Sequence, residues 1–316
     1  MPVEGFKVDV EKAVGHQFDS EPVICNRRDF ILYALGVGVK EDELKYLYEL
    51  DQHFTPLPTY PLVLTLKGND FNVNLFKDRA QGKGSLPGMP YYDPNKIVHG
   101  EQSLNIFHPF PVDGGQFMAK KTCTGVYDKG SGMVIEMTVD IYDEQEKVKY
   151  CSMVSKSFVR GYGGWNGPKG PKAVSYLPPK RNPDAIEVFT TTLNQALIYR
   201  LSGDYNPLHA DTSLAPKIGF PKPILHGLCT YGACGHAIIK ALANNDPSRF
   251  KSIEARFASP VFPGETIEIY MWKVDSQDHP KTEEGVIFIA KVKERDIVVI
   301  NNGYAVLYKK SSESKL

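Results

Sequence analysis

Residues 160–183 run RGYGGWNGPKGPKAVSYLPPKRNP, so rich in Gly and Pro that neither helical nor strand periodicity survives, and what precedes this stretch recurs after it. Ahead of it, short helical patterns over 29–35 and 41–50 give way to alternating, β-branched segments at 115–127, 132–142 and 147–159. Behind it, helices over 193–201 and 227–242 are followed by strands at 253–257, 266–274, 285–293 and 297–308. Helices first and an antiparallel sheet afterwards, twice over, is an α+β layout. The run Phe107-His108-Pro109-Phe110-Pro111 with Gly114-Gly115 opens the first strand series, and Ser259-Pro260-Val261-Phe262-Pro263-Gly264 opens the second. A duplicated unit accounts for the 316 residues without a separate cofactor domain. The expected division is a first repeat over 1–160, a linker over 161–183, a second repeat over 184–311 and a tail over 312–316.

Charge narrows the partners. Lys plus Arg number 37 and Asp plus Glu also 37, so there is no basic excess to neutralise nucleic acid or to hold an anionic membrane. Cys25, Cys123, Cys151, Cys229 and Cys234 form no CxxC pair and have no His at ligand spacing, which points to neither a zinc site nor a disulfide framework. The N-terminus MPVEGFKVDVEKAVG lacks a signal-length apolar run, and no stretch is long enough to span a bilayer, so a soluble, non-secreted protein is expected. Ser314-Lys315-Leu316 at the terminus match the peroxisomal address, preceded by a polar tail suited to being read by an import receptor. The peroxisomal matrix is the expected location.

The helix expected from Gly227, GLCTYGACGHAIIKALA, intersperses Gly232, Ala233, Gly235 and Ala237 among large apolar residues. Gly inside a helix costs roughly 1 kcal/mol against Ala, so the repetition predicts that another backbone comes close. Just before it lies the segment Tyr199-Arg200-Leu201-Ser202-Gly203-Asp204-Tyr205-Asn206-Pro207-Leu208-His209. Gly203 can end a helix in the left-handed conformation, and Pro207 forces Asn206 to be extended. Asp204 and His209 therefore sit on a stiff turn and can face one point. An imidazole with an ordinary pKa of about 6.5 beside a carboxyl is an acid/base pair, Asn206 can orient a water, and the Gly227 amide at a helix start can receive developing negative charge. Taken singly, the same residues also fit an Asx turn and a surface histidine. His236, in mid-helix, reads as a packing residue, as do Tyr199 and Tyr205.

Taken whole, the segment, continuing through Lys222-Pro223-Ile224-Leu225-His226-Gly227, resembles the hydratase 2 motif of the MaoC-like, hot-dog-fold enoyl-CoA hydratases. The resemblance extends to RDFILYALGVG, LKYLYE ending at Glu49, VHGEQ at 98–102 and DKGSG at 128–132. It implies a double hot-dog fold, two repeats of a curled antiparallel sheet around a central helix with the first repeat degenerate. It also implies a trans-2-enoyl-CoA substrate, a (3R)-hydroxyacyl-CoA product, no cofactor beyond the coenzyme A of the substrate, and a homodimer. By the same resemblance Asp204 and His209 are the catalytic pair, Asn206 orients water, the Gly227 amide is the oxyanion donor, and Tyr33, Glu49, Asp211 and His226 have supporting places.

Laying Leu35 over Leu201 puts Gly38 on Asp204 and Glu43 on His209, so the first copy lacks both groups and one active site per chain follows. Pro56, Pro58 and Pro61 stand where the second copy has its central helix, which argues for a shortened helix there and space for an acyl chain. The linker cations Lys169, Lys172, Lys180 and Arg181, or Lys83, are candidates for a coenzyme A phosphate. Rival readings are thioester hydrolysis, dehydration of a hydroxyacyl group, and a non-catalytic acyl-CoA binding module. No GxGxxG follows a strand, so a fused dehydrogenase is not expected within this chain.

Overall fold

The computed structural model describes residues 5–73, 86–275 and 280–310. The last three residues, Ser314, Lys315 and Leu316, and Lys83 lie outside the described residues.

Among the described residues, each half lays down five strands. The first contributes β1 (Glu21–Asn26), β2 (Ile97–Ile106), β3 (Gly114–Asp128), β4 (Gly132–Asp143) and β5 (Lys149–Arg160); the second contributes β6 (Ala185–Thr190), β7 (Phe250–Phe257), β8 (Thr266–Val274), β9 (Glu283–Val292) and β10 (Ile297–Tyr308). They form one sheet in the order β1-β3-β4-β5-β2-β7-β10-β9-β8-β6. Read inward from either edge the connectivity is the same, and the halves join antiparallel at β2 and β7, where Glu101 faces Arg256 and Asn105 faces Ser252. This is the double hot-dog arrangement. The edge strands β1 and β6 and the central β2 are absent from the strand pattern read in the sequence. In β2 burial does not alternate cleanly between core and solvent, and in β6 it alternates but the outward positions are the apolar Ile186 and Val188, so no period-2 polar pattern marks either.

Among the described residues the helices are α1 (Val10–Ala13), α2 (Arg27–Gly36), α3 (Leu44–Leu47), α4 (Pro61–Lys67), α5 (Gln195–Tyr199) and α6 (Gly227–Leu242). Asn26 and Asp29 close a reciprocal capping box at the start of α2, which stops β1 and turns the chain into the helix. The central helices differ as the prolines require: α6 has 16 residues, whereas α4 has 7 and starts on Pro61, the one helical turn where proline is tolerated. The helix expected over 41–50 contracts to α3: Glu43 before it has a non-helical backbone (φ −105°, ψ 56°) with its carboxylate on His236, and Tyr48 after it is extended. The helix expected over 193–201 is α5 followed by a 3-10 turn, Arg200–Ser202.

Helix α6 is buried along nearly its whole length, and Tyr231 at its heart donates its hydroxyl toward the carbonyls of Gln102 (3.1 Å) and Ile253 (2.7 Å) on the two central strands. Its glycines admit side chains, not another backbone. A Cβ on Gly232 would lie 2.6 Å from the Tyr33 hydroxyl, and one on Gly235 would lie 2.6 Å from Thr59 Cγ2. First-half side chains thus key into the second-half helix.

Residues 161–184 carry no strand or helix but are fastened to the sheet. The buried Asp128 carboxylate accepts the backbone N–H groups of Gly130 (2.8 Å), Gly164 (2.8 Å) and Gly167 (3.3 Å). Further on, the Tyr176 N–H donates to Asn302 (2.7 Å) and its ring stacks on Tyr304. No helix among the described residues is long and apolar enough to cross a membrane.

Candidate active site

Helix α5 and its 3-10 extension end at Gly203, whose φ of +129° is open to glycine and poorly open to other residues. The reversal delivers Asp204, whose Oδ1 accepts the Asn206 N–H at 3.2 Å. Asn206 in turn caps the short 3-10 helix Pro207–His209 by accepting the Leu208 N–H at 3.0 Å. Two nested Asx-type bonds and one proline therefore hold Asp204 and His209 on the same side of the turn. Because Asn206 uses its carbonyl oxygen in the cap, what it can offer a water is the amide Nδ2 group as donor.

His209 is buried, and its Nδ1 lies 2.8 Å from the Ile224 carbonyl. A carbonyl only accepts, so Nδ1 carries the proton and Nε2 is left with a lone pair. Burial pushes the imidazole pKa down, while the Asp204 carboxylate and the Ile224 bond pull it up; the net direction is down, which keeps the ring a neutral base. His226, 1% exposed, donates from Nε2 to the backbone carbonyl of Asp204 at 3.1 Å and stacks on His209. Burial, and then the neighbouring His209, hold its pKa well below the ordinary value. Donor atoms of Asp204, His209 and His226 lie within 4.8 Å of one another, a spacing that could hold a metal ion. The imidazole planes, however, are only 25° apart, so their in-plane lone pairs run side by side and do not converge on one ion. Proton transfer fits this geometry better than chelation.

Gly227 begins α6 with His226 as N-cap, and although the helix is buried Gly227 itself is exposed. A first-turn N–H has no acceptor within its helix and is free to meet an anion. A Cβ at this position would sit 3.0 Å from the Phe257 ring, so glycine keeps the backbone open. Phe257 packs on His99, whose ring centroid is 4.7 Å away. His99 comes from β2 of the first half. Burial lowers its pKa, opposed by bonds its ring donates toward the Glu101 backbone and the Gln102 side chain and by the Asp204 charge. Nothing in the local sequence singled it out as a site residue, although it is the histidine of the VHGEQ stretch; only the pairing of β2 with β7 brings it near Asp204.

The supporting residues divide. Tyr33 is fully buried between Tyr60 and Tyr199, whose ring lies 4.9 Å from His226, so Tyr33 backs the site through Tyr199. Asp211 is exposed and caps its own turn through Ser213 N at 2.7 Å, a local role away from the cluster. Glu49 is exposed too, in the turn after α3, where its backbone carbonyl accepts from Arg27 at 3.4 Å; no described contact joins it to Asp204 or His209. Helix α3 ends at Leu47, short of placing the Glu49 side chain inward. Of the linker cations, Arg181 is tied to Asp184 at 2.9 and 2.8 Å, and Lys169 faces Asp128 at 3.7 Å. His236 is buried against Glu43 at 3.0 Å, a packing position as its place in mid-helix implies.

Comparison with known proteins agrees with both halves. The family described as MFE-2 hydratase 2 N-terminal domain matches residues 24–161, and the MaoC like domain matches residues 175–293. The chain is 35% identical over 302 residues to a probable enoyl-CoA hydratase 2 of Dictyostelium discoideum, covering 95% of this chain and 97% of that one. It is 38% identical over 307 residues to the peroxisomal multifunctional enzyme type 2 of Mus musculus, covering 96% of this chain and 39% of that longer protein. Among solved structures, a MaoC-like dehydratase from Phytophthora capsici superposes with a TM-score of 0.87 at 36% identity, covering 98% of this chain and all of that one. The chain belongs to the MaoC-like enoyl-CoA hydratase 2 family.

Proposed function

We propose that the protein adds water across the double bond of a trans-2-enoyl-CoA to give the (3R)-3-hydroxyacyl-CoA, with His209 and Asp204 as the acid/base pair. The observation that carries this reading is the bond from His209 Nδ1 to the Ile224 carbonyl, which leaves an unprotonated Nε2 beside the Asp204 carboxyl. Nε2 takes a proton as the water oxygen bonds to C3, and the negative charge that develops on the thioester oxygen is received by the Gly227 N–H at the positive end of α6. The Asp204 carboxylate takes that proton over from His209 and delivers it to C2 on the same face, which returns both groups to their starting state. One proton taken and one given leave the enzyme unchanged, with one water added. Asn206 Nδ2 holds the water oxygen. Dehydration of a hydroxyacyl thioester runs through the same groups in reverse.

In this reading residues 184–311 carry the chemistry, and the first half, with its short α4, accommodates the acyl chain. The active form is a homodimer of the peroxisomal matrix, imported through Ser314-Lys315-Leu316. The peroxisomal relative named above supports that location. The test is to follow loss of the enoyl thioester absorbance and to oxidise the product with an R-specific dehydrogenase. An R product supports the assignment; an S product, or no turnover of any enoyl-CoA, overturns it.

A further inference from the structure

The position of Gly203 in the second half is defined by a residue of the first. The place a Gly203 Cβ would occupy lies 2.5 Å from the backbone nitrogen of Lys67 and 2.7 Å from its Cα, so the hinge of the catalytic turn rests directly on the last residue of α4. Lys67 is an unusual residue for that place. It is 6% exposed, and its Nζ donates to the Ile24 carbonyl at 2.9 Å and pairs with Asp29 Oδ2 at 3.4 Å. Asp29, 8% exposed, also accepts the Asn26 N–H at 3.0 Å in the capping box of α2.

Helix α2 supports the other side of the same segment. The Gly36 carbonyl accepts Gln195 Nε2 of α5 at 2.8 Å, and a Cβ on Gly36 would meet the Tyr199 ring at 3.2 Å and its Cα at 3.3 Å. The stretch α5–Gly203 that leads into Asp204 is therefore gripped between the C-terminal end of α2 and the end of α4. The ion pair Lys67–Asp29 ties those two elements together at one end, with Tyr60 before α4 packed on Phe30 and Tyr33 of α2 at the other. A buried ion pair is a poor device for stability alone, since a well-packed apolar pair serves as well or better. What it does provide is a fixed, directional spacing.

We infer that Lys67 and Asp29 are positioning residues for the hydration reaction: their buried pair sets the spacing of α4 and α2, and through Gly203 the placement of Asp204 relative to His209. The inference rests on the assignment of Asp204 and His209 given above. Both side chains are buried behind the turn, so the effect falls on the chemical step and not on binding.

The test is the charge-free double variant Lys67→Met/Asp29→Asn, in which the introduced amide oxygen still accepts the Asn26 N–H and no lone charge is left buried. It is assayed on a trans-2-enoyl-CoA after melting and circular dichroism show a folded chain. The expected result is a fall in kcat of about tenfold with KM within about twofold, since a displacement well under 1 Å suffices for that. The acidic limb of the kcat profile should shift as well, because the Asp204 charge that supports His209 has moved. A folded double variant with wild-type kcat and an unmoved profile overturns the inference. If the double variant does not fold, Lys67→Arg keeps the charge and changes its reach; kcat reduced about threefold at unchanged KM supports the inference, and unchanged kcat overturns it. Wild-type protein without turnover is a different outcome and counts against the hydratase assignment itself.

Discussion

The imidazole of His226 lies flat on that of His209, ring centroids 3.6 Å apart, while its Nε2 is bonded to the backbone carbonyl of Asp204. One buried ring thus touches both members of the proposed pair. It braces the turn from Asp204 to His209, and it shields His209 from water. Replacing His226 by Ala loses the bond and opens the ring to solvent. We expect kcat to fall about tenfold or more, and the acidic limb of kcat/KM to move to higher pH as the burial that depresses the His209 pKa is relieved. A pH–rate profile of the folded variant checks both.

The same two histidines couple stability to pH. Both have folded-state pKa values below the unfolded value of about 6.5, so both are neutral in the native protein while the unfolded chain takes up protons. Their contribution is fully present above that pH and is lost as pH falls through the folded values. Melting temperature should decline on acidification below about pH 6.5. The decline should be shallower in His226→Gln, which thermal melts across that range will show.

Gly203 combines a left-handed backbone with contact against Lys67. Gly203→Ala should destabilise the protein by about 2–4 kcal/mol, from backbone strain plus the displaced neighbour, and reduce kcat in what remains folded. Gly219, also at positive φ but with nothing within 4 Å of its Cβ position, should cost about 1 kcal/mol as Ala and spare activity. Denaturant unfolding of the two variants side by side makes the comparison.

Asp128 holds the linker by the backbone N–H groups of Gly164 and Gly167 and its own turn by that of Gly130, and these, against burial, keep its carboxyl at about 2. Its folded pKa lies below the unfolded value near 3.9, so the fastening is intact above that pH and is lost as pH falls toward about 2. Asp128→Ala should lower the melting temperature and expose 161–184 to protease, with kcat of the intact fold unchanged, since no described bond links Asp128 to the catalytic turn. Limited proteolysis with parallel kinetics separates the two effects.

The turn from Gly203 to His209 was legible because its determinants are local. A helix-ending glycine, two Asx side chains and a proline within seven residues leave the backbone few choices, and the structure follows them at Gly203, Asp204, Asn206 and Pro207. The short α4 was legible for the same reason, from prolines that cannot sit in a helix interior. What escaped depends on distant partners. The long, mostly polar β2 pairs with β7 across 150 residues of chain, and only that pairing brings His99 toward Asp204. The pairing of Glu43 with His236 across the two halves, which fixes the start of α3, is likewise a contact no local pattern records. The close approach at Gly232 and Gly235 was expected of a backbone and proved to be that of Tyr33 and Thr59 side chains, since a missing Cβ tells only that space is needed.

The most direct test of the whole account is the turnover of a trans-2-enoyl-CoA by folded His209→Gln, followed by the loss of enoyl thioester absorbance. Gln can neither hold nor release the proton that His209 Nε2 must take, so kcat should fall by about 10²–10⁴ while the melting temperature stays near that of the wild type. Turnover within a few-fold of wild type would contradict His209 as the base.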